Sequence, residues 1–107
     1  MRDLCGYYDR QGNRMKDMKE WGEKLHDITY KRVVEDTLPN GLWISTVWLG
    51  MDYSFGDDTP PLIFESMAFR NKDDMRELDC ARYATEEEAV AGHKLMVEKW
   101  KTEPIPE

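Results

Sequence analysis

Apolar positions between residues 30 and 69 give the clearest structural signal in the chain. Residues 30–37 and 42–49 are rich in β-branched and aromatic side chains, and a Leu-Pro-Asn-Gly sequence at 38–41 separates them. Proline fixes φ and glycine accepts a positive φ, as a tight reversal requires. The pattern therefore predicts a central β-hairpin. Further strands are predicted over residues 61–69 and 78–83.

Two helices are predicted on either side of this sheet. Residues 15–26 carry an apolar residue every three or four positions, and Asn13 stands as a candidate N-cap. The second helix begins with a capping box, Thr85 to Glu88, and has three acidic residues in its first turn. Its apolar stripe consists of Ala89, His93, Met96, Val97 and Trp100.

These elements predict an α+β fold. Its core is a three- or four-stranded antiparallel sheet with a central β-hairpin, on which an N-terminal and a C-terminal helix pack. We expect one domain over residues 1–101 and a flexible tail over 102–107, where two prolines disfavour helix and strand.

The strands differ from the usual pattern of one buried and one solvated face. Strand 42–49 has two apolar sets: Leu42, Ile44 and Trp48, and Trp43, Val47 and Leu49. In strand 61–69 the alternation places Leu62 and Phe64 on one side and Ile63, Met67 and Phe69 on the other. Either the helices cover both faces, or one face meets a second subunit or a ligand. With only two helices, we favour a homodimer or higher oligomer.

Composition narrows the class of protein. A chain of 107 residues with 40% apolar residues and 12 aromatics is too apolar to be a disordered acidic tail. It has no apolar run long enough to span a membrane, and its N-terminus has no signal-peptide core. We therefore expect a soluble protein that acts in the cytoplasm and contacts no membrane.

The chain has a net charge of −7 that is distributed unevenly along the sequence. Residues 1–34 carry +2 and residues 35–107 carry −9. This balance argues against nucleic-acid binding, which needs clustered cations. It allows binding to a basic partner surface, and plain solubility is the alternative explanation.

Cysteine and histidine spacing predicts neither a disulfide nor a metal site. Cys5 and Cys80 are far apart in sequence, and with no export signal we expect reduced thiols. His26 and His93 are also isolated, whereas zinc sites need ligand pairs at short spacing. No metal or cofactor is predicted.

The loop at 50–60 carries five candidate binding residues between two apolar strands. Three are carboxylates and two are aromatic: Asp52, Asp57, Asp58, Tyr53 and Phe55. A loop held by rigid strands suits recognition of a protein or ligand. A solvated loop or a divalent-cation site are the alternatives, although the spacing is not that of a calcium loop.

Glu65 and His93 are the only acid/base candidates. Glu65 lies in mid-strand among apolar neighbours, either as a buried functional carboxylate or as an ion-pair partner of Arg32 or Lys31. His93 is either a satisfied core residue or a partner of Glu65 across the helix–sheet contact. No hydrolase, phosphate-loop or metalloprotease motif is present, so no catalytic residue is assigned.

An aromatic platform is a further possibility. Trp43 and Trp48, with the loop aromatics, could stack a nucleotide base. Arg70, with Lys31, Arg32 and Lys72 near the strand ends, could bind its phosphates. Ordinary core packing is the alternative for either tryptophan.

Three segments resemble a family of small phage- and prophage-encoded proteins to which no activity is assigned. They read STVWLGMDYSF, PPLIFESMAF and RYATEEEAVAGH, within a match over roughly residues 28–100. Tyr53 stands where many relatives have histidine, which argues against an obligatory metal ligand or base there. The resemblance implies a phage accessory protein in the host cytoplasm, and such proteins often block host defences.

Three hypotheses follow. The first is a non-enzymatic accessory protein that acts by binding, with inhibition of a host defence protein as the narrower form of this hypothesis. The second is an oligomeric binder that sequesters a small anionic ligand such as a signalling nucleotide. An enzyme that uses Glu65 and His93 ranks last.

Overall fold

Four strands form one antiparallel sheet in the order in which they follow each other along the chain. The computed structural model describes residues 7–51 and 60–105. Three helices complete the described part of the fold, and the α+β class with a central hairpin is confirmed. The elements are α1 (Met18–Leu25), α2 (Ile28–Lys31), β1 (Arg32–Thr37), β2 (Trp43–Trp48), β3 (Phe64–Phe69), β4 (Glu77–Tyr83) and α3 (Glu86–Thr102).

The β1–β2 hairpin turns at the predicted Leu-Pro-Asn-Gly sequence. The amide of Leu38 donates to the Leu42 carbonyl (2.8 Å), and the amide of Gly41 donates to the Leu38 carbonyl (2.9 Å). Gly41 has a φ of 92°, a conformation that favours glycine. The Asn40 side chain accepts from the Leu42 amide and donates to the carbonyl of Trp100, which ties the turn to the end of α3.

The N-terminal helix begins later than the spacing predicts. Its N-cap is Asp17, whose carboxylate accepts from the amides of Lys19 (3.0 Å) and Glu20 (3.4 Å). The prediction of Asn13 as the cap is wrong, because the Asn13 amide donates to Asp9 in a preceding turn. Aspartate caps helices as well as asparagine does, and it lies next to the helical residues.

The first strand is also shorter than predicted. Residues 30 and 31 belong to α2, because the Asp27 carboxylate accepts from the amides of Thr29 (3.0 Å) and Tyr30 (3.3 Å) and starts a helical turn. β-propensity alone gave no sign of this cap. The strand begins at Arg32.

Helix α3 follows its predicted pattern. The Thr85 hydroxyl accepts from the Glu88 amide (3.1 Å), as an N-cap does. The stripe faces the sheet: Ala89, His93, Met96 and Trp100 are buried, and Val97 is partly buried against the same core. The helix ends at Thr102, and Ile105 also packs against this core.

All the described helices lie on one side of the sheet. Ile44, Thr46 and Trp48 of β2 are fully buried and face α3. Trp21 and Leu25, from α1, pack against the cluster that contains Trp48. The alternative in which the N-terminal helix covers the opposite face is therefore not realised. None of the described helices is long and apolar enough to cross a membrane.

The predicted side of Ile63 is wrong. It is 1% exposed and packs with Trp48 and Phe64 in the helix-side cluster, not with Met67. Regular alternation starts only at Phe64, where β3 begins, so the strand pattern does not extend back to residue 63.

Candidate functional site

The face of the sheet opposite α3 is the candidate functional site, and we call it the helix-free face. Strand register places its side chains in three rows that run across all four strands. The rows are Arg32–Val47–Glu65–Arg82, Glu35–Ser45–Met67–Cys80 and Thr37–Trp43–Phe69–Glu77. Its centre is apolar and its two outer strands carry charge, because each edge strand contributes charged residues to the rows.

An aromatic pair forms one end of this face. The rings of Trp43 and Phe69 stack with centroids 5.4 Å apart and planes at 28°. The indole of Trp43 donates to Glu35 (3.3 Å), and the Lys72 ammonium lies 6.0 Å from the indole ring centroid. Both signs of charge therefore lie beside this pair: the Lys72 ammonium, and the Glu35 carboxylate, which also pairs with Arg32 (3.5 Å).

Met75 borders the aromatic pair from the turn between β3 and β4. Arg76 donates to both carboxylate oxygens of Asp74 (3.0 and 2.9 Å), and its amide donates to the same carboxylate. These hydrogen bonds lower the pKa of Asp74 to about 2. Met75, which lies between Asp74 and Arg76, is 69% exposed, so its large apolar side chain contacts solvent at the edge of the face.

A shallow cavity of about 180 Å³ lies in the centre of the helix-free face. We call it the face pocket. Its walls are mostly apolar, with one carboxylate among them. It is lined by Trp43, Ser45, Val47, Glu65, Met67, Phe69 and Met75. Shallow apolar depressions with few polar groups are typical of sites that receive a partner side chain.

Glu65 pairs with Arg82, and the predicted partners Arg32 and Lys31 are wrong. The Arg82 guanidinium donates to Oε2 of Glu65 (2.9 Å), and the carboxylate is largely buried at 7% exposure. The cause is strand register, since Arg82 lies directly opposite Glu65 on β4. Arg32 pairs across from Val47, one strand further away.

Cys80 also meets this carboxylate. Its thiol donates to Oε2 of Glu65 at 3.6 Å. Partial burial, together with the negative charge of Glu65, raises the pKa of the Cys80 thiol to about 11. Only the thiolate is an effective nucleophile, so this cysteine is a poor one at neutral pH.

The Glu65 charge is expected to control the reactivity of Cys80. In a Cys5→Ser background, the alkylation rate of Cys80 should rise with pH toward an inflection near pH 11. Glu65→Gln removes a charge that opposes the thiolate, so the inflection should move to lower pH. Iodoacetamide alkylation followed by mass spectrometry gives the rates. Glu77→Gln removes a charge that raises the same pKa more weakly, so it should move the inflection by a smaller amount. An unchanged inflection in Glu65→Gln would contradict this account.

His93 and Glu65 do not form the suggested acid/base pair. Nδ1 of His93 is 2.7 Å from the Thr46 hydroxyl, and Nε2 is 2.7 Å from the Asp36 carboxylate. The Thr46 hydroxyl also bonds to that of Ser66. Glu65 lies on the opposite face of the sheet, because neighbouring residues of a strand point to opposite sides.

This chain of hydrogen bonds satisfies buried groups. His93 is 2% exposed, and Thr46 and Ser66 are fully buried beneath α3, so Ser66 is inaccessible to a substrate. Asp36 is the member with solvent access, at 52% side-chain exposure. His93 therefore takes the alternative role left open by its sequence position, that of a satisfied core histidine.

The remaining predicted residues fall in different places. Trp48 is a core residue whose indole donates to the Tyr8 carbonyl (3.0 Å), so it shares no platform with Trp43. Arg70 is half-buried just after β3, with its carbonyl near Gly41 of the hairpin turn. The five loop candidates, Asp52, Tyr53, Phe55, Asp57 and Asp58, lie outside the described residues. Residues 7–51 and 60–105 contain no His/Cys/Asp/Glu cluster that could hold a metal ion.

Sequence reasoning missed Met67, Met75 and Arg82 as site residues. Met67 was foreseen as apolar, but its face was identifiable only once the helices were placed. No hydrophobic pattern in the sequence marks Met75 as a site residue, because its neighbours in the turn are charged. No family model, curated protein or solved structure matches the chain, so the phage resemblance stays a prediction.

Proposed function

We propose that this protein is a phage-encoded accessory protein that acts by binding, without catalysis, and inhibits a host protein in the cytoplasm. The helix-free face is the docking surface, and its partner is a basic protein surface. The phage setting follows the resemblance of residues 28–100 alone. The choice of docking surface is supported by the fold.

The observation that carries the proposal is the apolar centre of a face that no described helix covers. Trp43, Val47 and Met67 are half-buried there, and Met75 is strongly exposed. In a small antiparallel sheet with helices on one side, the other face is normally polar. A contiguous apolar area rimmed by charges is typical of protein interaction sites.

Charge indicates the kind of partner. The whole chain carries −7, which attracts a cationic protein and repels an acidic one. Glu35 and Glu65 also place carboxylates beside the apolar centre, where a basic partner would meet them in addition to their ion-pair partners Arg32 and Arg82. Opposite charges would speed encounter, while the apolar centre would supply most of the affinity.

Single substitutions on opposite sides of the molecule test this function. Ser45→Lys places a cation in the middle of the helix-free face without removing an apolar contact. Leu95→Lys, on the outer side of α3 where Leu95 is 73% exposed, is the matched control. A host protein captured by the wild type should be retained by Leu95→Lys and lost with Ser45→Lys.

Titration of the purified partner then gives the size of the effect. Ser45→Lys should weaken binding at least tenfold, and 0.5 M NaCl should weaken wild-type binding. Val47→Lys provides a second variant on the same face. Equal binding by all three variants would overturn the proposal.

A second copy of the chain is the competing occupant of this face. Analytical ultracentrifugation at increasing concentration separates the two cases. A monomer supports a host partner. A dimer that Ser45→Lys dissociates would overturn the proposal that a host protein binds the helix-free face, because the face would then be a self-association interface.

A further inference from the structure

The face pocket contains a largely buried carboxylate oxygen that accepts no hydrogen bond from the described residues. Oε2 of Glu65 receives the guanidinium of Arg82 and the thiol of Cys80. Among residues 7–51 and 60–105, the hydrogen bonds and the ion pair of the Glu65 carboxylate all end on Oε2, and none ends on the second oxygen, Oε1. The Glu65 side chain is only 9% exposed and lines the pocket among mostly apolar walls. Buried polar atoms are normally paired, so this oxygen requires a partner.

When a partner covers the face, Oε1 of Glu65 loses access to water, and the energetic cost of leaving it without a donor rises. A partner that packs on Trp43, Val47 and Met67 removes the remaining water from the pocket. A purely apolar partner would leave Oε1 unpaired and desolvated, which is unfavourable for an ionised group. A partner carboxylate would add a second negative charge. A cationic donor pairs the oxygen through a charge-assisted hydrogen bond, beside the Arg82 guanidinium that already binds Oε2.

The apolar residues that line the face pocket indicate what carries the cationic group. Val47, Met67 and Met75 suit an aliphatic stem, and the Trp43 ring already has the Lys72 ammonium 6.0 Å from its centroid. Aromatic faces attract cations, and arginine and lysine carry a charged head on an aliphatic stem. We infer, on the basis of the proposed docking function, that the face pocket receives an arginine or lysine side chain of the partner, whose cationic head pairs with Oε1 of Glu65.

Small probes test the pocket without the partner. n-Butylguanidinium reproduces the end of an arginine side chain, n-butylurea is its neutral analogue, and pentanoate carries the opposite charge. Each is titrated into isotopically labelled protein, with the Trp43 indole N–H and the Met67 and Met75 methyl groups as NMR reporters. We expect n-butylguanidinium to bind with a Kd on the order of a few millimolar and to shift all three reporters.

Charge at residue 65 should decide the affinity. Glu65→Gln should weaken n-butylguanidinium about tenfold and leave n-butylurea unchanged, because only the cation loses a charge-assisted hydrogen bond. Glu77→Gln, an equal charge change on the same face outside the pocket, should bind as the wild type does. If Glu65→Gln loses the wild-type spectrum, Met67→Lys replaces it, since that lysine would occupy the pocket and abolish probe binding.

Each result supports or overturns the inference. Selective loss in Glu65→Gln supports it. Equal binding of pentanoate, no effect of Glu65→Gln, or shifts confined to another surface overturns it. The result is separable from the docking function. If Ser45→Lys displaces the partner but n-butylguanidinium does not bind the face pocket, the proposed docking surface stands. The inference that a cationic side chain enters the pocket is then wrong.

Discussion

Replacing Thr46 with valine is expected to lower the free energy of unfolding by about 2–4 kcal/mol. Valine has nearly the same shape, so the change removes a hydroxyl and little volume. Nε2 of His93 hydrogen-bonds to the Asp36 carboxylate, and Nδ1 hydrogen-bonds to the Thr46 hydroxyl. The Thr46 hydroxyl also bonds to that of Ser66. Valine leaves Nδ1 of His93 and the Ser66 hydroxyl without this partner, in positions that are almost completely buried.

Ser66→Ala is the matched control, because it removes the end of the same chain of hydrogen bonds. The Thr46 hydroxyl keeps its bond to His93, so we expect a loss of about 1 kcal/mol or less. Urea unfolding followed by tryptophan fluorescence gives both values, and thermal unfolding should show a Tm lowered by roughly 10–20 °C in Thr46→Val.

The double variant provides the stricter test. Adding Ser66→Ala to Thr46→Val removes the orphaned serine hydroxyl, so the combined loss should be smaller than the sum of the single losses. Strict additivity, or a Ser66→Ala loss as large as that of Thr46→Val, would contradict the network.

Local sequence signals were sufficient for much of the fold. The turn at 38–41 is specified by proline and glycine, whose backbone preferences act without distant contacts. The start of α3 is likewise specified within four residues by Thr85 and Glu88. The error at the first helix has the same local origin, since two residue types that cap helices equally well, Asn13 and Asp17, stood close together.

The candidate site depends on contacts that sequence spacing does not determine. Arg82 reaches Glu65 because four strands align in one register, which irregularities near Arg32 in β1 and Phe69 in β3 adjust. A one-residue slip would move each of these side chains to the other face. The helix-free face could be foreseen only as an alternative, because strand 42–49 is apolar on both sides and gives no sign of which one the helices cover.

Replacing Gly92 with alanine is expected to destabilise the protein, although alanine is the better helix former. Helix propensity alone would favour alanine by about 1 kcal/mol within α3. The added Cβ, however, would lie 2.2 Å from Cε1 of the Tyr83 ring and 2.3 Å from its Cζ and hydroxyl oxygen. The ring must move away and lose its packing on the helix-side cluster. Such overpacking typically costs about 1–3 kcal/mol, so after the gain of about 1 kcal/mol in helix propensity the net loss should reach up to about 2 kcal/mol.

Removing the tyrosine ring should reverse the sign of this effect. In a Tyr83→Ala background the space above Gly92 is empty, so Gly92→Ala should then stabilise the protein by about 0.5–1 kcal/mol through helix propensity alone. Urea unfolding of the wild type, both single variants and the double variant completes the cycle. Because helix propensity acts equally in both backgrounds, only the contact between Tyr83 and α3 can change the sign. An equal effect of Gly92→Ala in both backgrounds would contradict the contact between the Tyr83 ring and Gly92.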